Sequence, residues 1–141
     1  MIPAEVKARI NVRTLPGHRI NDVVSRLKEI VGETNVEISA ATHGVDAPAS
    51  NPDSPMFAAL ARTAKELDPE LAVVPYLGTG ATESAQLRSL GIDAYGILPF
   101  PMVPEDEGRM HGHDERVPIA SLHFGTRLIH ESVRRVAAGA I

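Results

Sequence analysis

Residues 5–13 read E-V-K-A-R-I-N-V-R, and their strict alternation decides the expected fold. Val6, Ala8, Ile10 and Val12 share one face, while Glu5, Lys7, Arg9, Asn11 and Arg13 share the other. A period of two predicts a strand with one face buried and one in water. Leu15-Pro16-Gly17 ends it, because proline lacks the N–H a ladder needs and glycine turns freely. Downstream, Ile20, Val23, Val24, Leu27, Ile30 and Val31 recur at helical spacing, and Gly32 follows as a stop. Alternation resumes from Asn35 to Ser39 around Val36 and Ile38. Residues 1–40 therefore predict a small β-α-β layer with one open polar face.

From Ala40 to Pro52 the text changes to A-A-T-H-G-V-D-A-P-A-S-N-P, with no period and many turn formers. It reads as a linker over 41–52, separating segment 1–40 from segment 53–141. After it, Ser54 can cap a helix with Pro55 at the first helical position. Phe57, Leu60, Ala61, Ala64 and Leu67 give that helix a buried stripe. Leu71 to Leu77 is an apolar run without alternation, as expected for a strand covered on both faces. A Gly-rich turn, a short helix near Glu83 to Leu90 and a strand near Asp93 to Leu98 follow. Residues 99–110 are Pro-rich and acidic and read as an exposed loop. A last helix is expected from about Pro118 to Ala138, with Ile119, Leu122, Ile129, Val133 and Val136 on its inner side. The second segment is thus α-β-α-β-α, and the fold class expected for the chain is α/β.

At 141 residues the chain can hide roughly 68–70% of its unfolded surface, enough for one ordinary core. Aromatics are only 4% and tryptophan is absent, so Val, Ile, Leu and Ala must fill that core. No cysteine is present, which excludes a disulfide framework, a thiol nucleophile and a Cys-based zinc site. The 14 basic residues are scattered among 18 acidic ones, which argues against nucleic acid as a partner. No apolar run approaches a membrane span, and the chain opens on polar–apolar alternation rather than a signal segment. The expectation is a soluble, cytoplasmic protein with neither a membrane nor a nucleic-acid partner.

Chemistry concentrates at His111-Gly112-His113-Asp114-Glu115-Arg116. Two imidazoles and two carboxylates this close suit a divalent metal. On an extended segment, however, His111 and His113 face opposite ways, so one of them would reach a given ion. Spacing alone favours a solvated polar loop. Gly78-Thr79-Gly80-Ala81-Thr82-Glu83 stands at a strand-to-helix turn, where backbone N–H groups can meet an anion. Glu83 and the missing Lys weaken a phosphate reading, and a tight turn suffices to explain it. His123, Arg127, His130 and Arg134 share one stripe of the last helix, which reads as a solvated face. His18 and His43 lie in turns without acidic neighbours, and Arg13 ends a strand as surface arginines often do.

Four motifs occur in order: N-V-R-T-L-P-G from Asn11, G-A-T-E-S from Gly80, Y-G-I-L-P-F from Tyr95 and M-H-G-H-D-E-R-V from Met110. That order and spacing resemble the C-terminal part of the zinc-dependent aminoacylase/carboxypeptidase/succinyl-diaminopimelate desuccinylase peptidases. The resemblance spans nearly the whole chain. It implies that residues 1–40 are the second half of a ferredoxin-like lid and dimerisation domain, and 53–141 the last part of a two-zinc catalytic domain. By the same resemblance His111 is the final zinc ligand, with Glu115 in the supporting acidic position. Gly80, Ala81 and Thr82 would face the substrate, and Arg13 would hold its carboxylate, to which a guanidinium is well suited.

Glu83 stands where the family usually has Asp, and Ala85 where an Arg is frequent. The family's other zinc ligands and its general base have no counterpart here, and one His cannot hold two zinc ions. The resemblance implies hydrolysis of an amide bond in an acyl-amino acid or short peptide, with the isolated chain expected to be inactive and not to bind zinc fully. Two other readings stand beside it: a non-catalytic association module, and one half of a split enzyme. All three expect a homo-oligomer or pairing with an N-terminal half.

Overall fold

Ser54 and Pro55 start the helix around which the chain packs. The Ser54 hydroxyl accepts the Phe57 N–H at 3.1 Å, filling one of the N–H groups a helix start leaves open. The computed structural model describes residues 3–40 and 44–139. Met1 and Ile2 of the expected lid half, residues 41–43 of the expected linker with His43, and Ala140 and Ile141 lie outside the described residues.

Among the described residues five helices are formed: α1 (Ile20–Val31), α2 (Pro55–Leu67), α3 (Ser84–Ser89), α4 (Pro104–Glu107) and α5 (Ile119–Ala137). Among the described residues there is no strand, so the chain is all-helical and the α/β expectation is corrected. This includes both the β-α-β half-lid and the α-β-α-β-α fragment. The four expected strands form no ladder among the described residues. Val6 is 83% and Ile10 70% exposed, so the apolar face of the alternating segment meets no second layer. Tyr76 at 88% exposed likewise shows that 71–77 is not covered on both faces. A strand is a cooperative object whose N–H and C=O groups need a neighbouring strand, and alternation alone does not supply one.

Helices whose signals are local form where expected. α1 ends at Gly32, whose φ of 66° lies in the left-handed region that glycine adopts freely. α2 and α5 are the pair of helices that pack on one another. Leu60, Ala64 and Leu128 form the core between them, with Met56, Leu67, Leu71, Val73, Phe124 and Ile129 packed around. Arg135 on α5 pairs with Glu66 on α2, and Ser132 donates to the Ala59 carbonyl at 3.5 Å. α4 is a single turn inside the expected 99–110 loop, started by Pro104.

The buried stripe of α5 is not the expected one. Ile119 is 74% exposed, and Leu122, Val133 and Val136 are also exposed, while Ser121, Gly125, Leu128 and Ser132 are buried. Small residues win because other backbone comes close at this face. A Cβ on Gly125 would stand 2.7 Å from the Pro99 carbonyl oxygen and 2.5 Å from the Phe100 ring. Ser121 donates to the Pro101 carbonyl beside them.

Residues 46–54 are bonded on both sides. Asp46 Oδ1 accepts the Ile20 N–H at the start of α1, at 2.8 Å. Arg88 Nε of α3 donates to the Pro48 carbonyl at 2.8 Å, and Ser50 donates to the Ala94 carbonyl at 3.0 Å. Tyr95 donates its hydroxyl to the Asn51 carbonyl at 2.6 Å, so the Ser54 hydroxyl donates to the Tyr95 oxygen in turn.

The chain's accessible surface is 11414 Å², whereas a folded monomer of 15.1 kDa exposes roughly 7,100 Å². Large apolar side chains share in that exposure: Val6, Ile10, Val36, Val74, Leu90 and Ile119 are each more than half exposed.

Candidate functional site

The loop after α4 is shaped by two ion pairs. Arg116 Nε meets Asp106 Oδ1 at 2.6 Å, and Arg109 Nη1 meets Asp114 Oδ2 at 2.8 Å. Asp106 is buried, and a buried carboxylate needs such a partner. Its hydrogen bond and its charge, with a smaller contribution from Asp114, hold the Arg116 guanidinium above its ordinary pKa. Between these anchors His111 has φ 63° and Asp114 φ 60°. Left-handed backbone is uncommon away from glycine, although His and Asp enter it more readily than most residues. Strain of this sort recurs where surrounding structure holds a functional side chain.

His111 and Glu115 line one cavity of about 210 Å³ together with Asp106 and Arg116. Its remaining walls are apolar. His113 does not line it, and residues 111–114 form a turn rather than the extended segment on which the alternation of the two imidazoles rests. Among the described residues, no hydrogen bond or ion pair engages His111 or Glu115. Among the same residues there is no group of three or more His, Asp and Glu side chains placed to hold a metal. One imidazole and one carboxylate are fewer donors than a catalytic zinc needs, so these residues fit a share of such a site rather than a whole one.

Ala81 and Thr82 line a second, open hollow of about 270 Å³ with Glu83 and Gln86. The Thr82 hydroxyl accepts the Ser84 N–H at 3.3 Å, ahead of α3. Gly80 is exposed and a Cβ there would meet nothing within 4 Å. The two hollows share no lining residue, and Arg13, exposed on the unpaired N-terminal segment, lines neither. His111 and Glu115 thus line one hollow, Ala81 and Thr82 line another, and Arg13 lines neither. The α5 stripe is exposed at His123, Arg127, His130 and Arg134, as a solvated face should be. Within it Arg134 hydrogen-bonds Glu131 and draws that carboxyl below its ordinary pKa.

Sequence reasoning missed Asp106, one carboxylate in an acidic run, and its bond to Arg116 ten residues on. It also missed Tyr95, although the tyrosine opens a quoted motif. A lone aromatic hydroxyl among turn formers was the available signal.

A family model described as Peptidase family M20/M25/M40 matches residues 4–135. The chain belongs to that peptidase family. Among curated relatives, the probable carboxypeptidase S-like 2 of Dictyostelium discoideum is 29% identical over 120 residues, covering 84% of this chain and 23% of the relative. The N-fatty-acyl-amino acid synthase/hydrolase PM20D1 of Homo sapiens is 26% identical over 137 residues, covering 95% of this chain and 27% of the relative. The chain thus spans about a quarter of the length of the curated relatives it matches. No solved structure gives a significant match.

Proposed function

We propose that this chain supplies the C-terminal part of a metal-dependent hydrolase that cleaves amide bonds of acyl-amino acids or short peptides, and that it is inactive alone. The observation that carries the reading is the family match over 4–135, with His111 and Glu115 on one cavity wall inside it. The names of the relatives, a carboxypeptidase and an acyl-amino acid hydrolase, support the substrate class. In this reading His111 supplies one imidazole to a zinc site and Glu115 supports it. Gly80, Ala81 and Thr82 face the substrate, and Arg13 takes its carboxylate. Zinc would polarise the scissile carbonyl and activate water. The other donors would come from outside the described residues. Residues 1–40 act as lid and 53–141 as catalytic segment, joined by 41–52. Among the described residues no helix is long and apolar enough to cross a membrane, and the proposed setting is the cytoplasm.

Two measurements test this. Zinc calorimetry on the isolated chain should show no tight binding of two ions, and tight binding of two would overturn the claim of a shared site. Mixing with an N-terminal half from the same family should restore acyl-amino acid hydrolysis, and His111→Ala should abolish it. Unchanged hydrolysis removes His111 from the ligand role.

The second reading is a non-catalytic association module, favoured by the exposed alternating face at Val6 and Ile10. It expects oligomers at micromolar concentration, and a stable monomer by sedimentation counts against it.

A further inference from the structure

The segment that carries His111 is closed twice by charge. Arg109 and Asp114 meet at 2.8 Å, an inner closure with His111 between them in the chain. Asp106 and Arg116 meet at 2.6 Å, an outer closure that takes in Glu115 as well. The two are joined, because Arg116 Nη1 stands 3.6 Å from the same Asp114 oxygen that Arg109 bonds. Asp106, Arg116, Asp114 and Arg109 thus form one series of alternating sign. Sharing two carboxylates suits a guanidinium, whose donors point in several directions. Inside the closures the Gly112 N–H donates to the Arg109 carbonyl at 2.8 Å, and His111 holds φ 63°. The closures are not equal. The Asp114 side chain is 69% exposed, and exposed pairs contribute little. That of Asp106 is 11% exposed, so losing Arg116 would leave a buried charge without its partner.

We infer that Asp106 and Arg116 are positioning residues, which fix His111 in its left-handed geometry and so present it, with Glu115, to a divalent cation. The inference rests on the proposed function, in which His111 is a metal ligand, and gives a role to two residues which that reading leaves idle. In this role neither contacts the ion, and both act through His111. A histidine already held needs little further ordering, whereas on a loose turn part of the binding free energy goes into ordering it. Plain attraction at a distance makes a different prediction. By charge alone, losing the Asp106 carboxylate would weaken a bound cation and losing the Arg116 guanidinium would strengthen it. Under positioning, both losses weaken binding.

The test is a zinc titration of the whole chain, read by NMR at the His111 ring at about pH 8, where an ordinary imidazole is already neutral. Weak, saturable shifts are expected for the parent. Asp106→Asn, Arg116→Gln and the double variant should each weaken zinc binding by about tenfold or more. The double variant leaves no buried charge behind, so it remains informative where Arg116→Gln alone fails to fold. Unmoved methyl signals from Leu60 and Leu128 identify an intact α2–α5 core, in which a merely stabilising pair would leave the affinity unchanged. Unchanged affinity in the double variant overturns the inference, as does tighter binding by Arg116→Gln. Asp114→Asn should cost less than Asp106→Asn, and a larger loss overturns the assignment to the outer pair. Relaxation of the His111 amide, measured without metal, is the second arm. That amide should be as ordered as α5 in the parent and mobile in the double variant, and equal order in both overturns the positioning. No zinc response at His111 in the parent overturns instead the ligand role in the proposed function, and the relaxation arm still decides whether the pair holds the turn.

Discussion

At position 125 even a methyl group would press on the Phe100 ring and the Pro99 carbonyl. The carbonyl belongs to a backbone that Ser121 also grips through Pro101, so it cannot move aside freely. Gly125→Ala should therefore destabilise the protein by about 1–3 kcal/mol, the usual cost of overpacking, seen as a lower midpoint in urea. Gly78→Ala is the matched control. It meets open space at an ordinary φ, and its midpoint should stay within about 0.5 kcal/mol of the parent. The same residues explain why the buried stripe of α5 differs from the expected one at all but Ile129. Hydrophobic periodicity ranks Ile119, Leu122 and Val133 above serine and glycine, yet close approach of backbone selects the smallest side chains. At the 111–116 loop spacing alone favours a solvated polar loop, and Asp106 gains its meaning only from Arg116 ten residues on.

Single elements divide by whether their signals are local. α1 and α2 lie where their caps and periods put them, because Gly32, Ser54 and Pro55 act within one turn. The strands were illegible for the opposite reason, since pairing depends on a neighbour that alternation cannot name. α2 carries a coupling that follows from its cap. Ser54 serves both the Phe57 N–H and the Tyr95 oxygen, so the helix start and Tyr95 share one hydroxyl. Ser54→Ala should cost about 1–2 kcal/mol and Tyr95→Phe about 1 kcal/mol in denaturant unfolding. The double variant should cost less than their sum, because the bond between them is lost only once. Strict additivity would show that the two hydroxyls do not interact.

For the molecule as a whole, the surface exposed in excess of a folded monomer is about 4,300 Å², well beyond the roughly 800 Å² per partner of a standard complex. In the proposed function an N-terminal part of the enzyme covers that surface. Alone, the chain should bind a hydrophobic dye strongly, and adding an N-terminal half from the family should quench that signal in proportion to complex formed. Dye binding unaffected by saturating partner would show that the exposed face is not the surface used. Amide exchange should divide the chain as well. α1, with no helix packed on it, should exchange close to the rate of a free peptide, while α2 and α5 should be the slowest region.

Asp46 grips the start of α1, and Arg88 grips the carbonyl of Pro48. One residue, Ala47, separates the two anchors, so their Cα atoms can be at most about 7 Å apart. A connection that short has no slack to take up. Turning α1 would load the Asp46 bond and the Arg88 bond together, and through Arg88 the load would arrive at α3, behind the Thr82 turn. In mechanical terms the segment is a crank rather than a string, coupling the start of α1 to α3, whose Gln86 lines the hollow at Thr82.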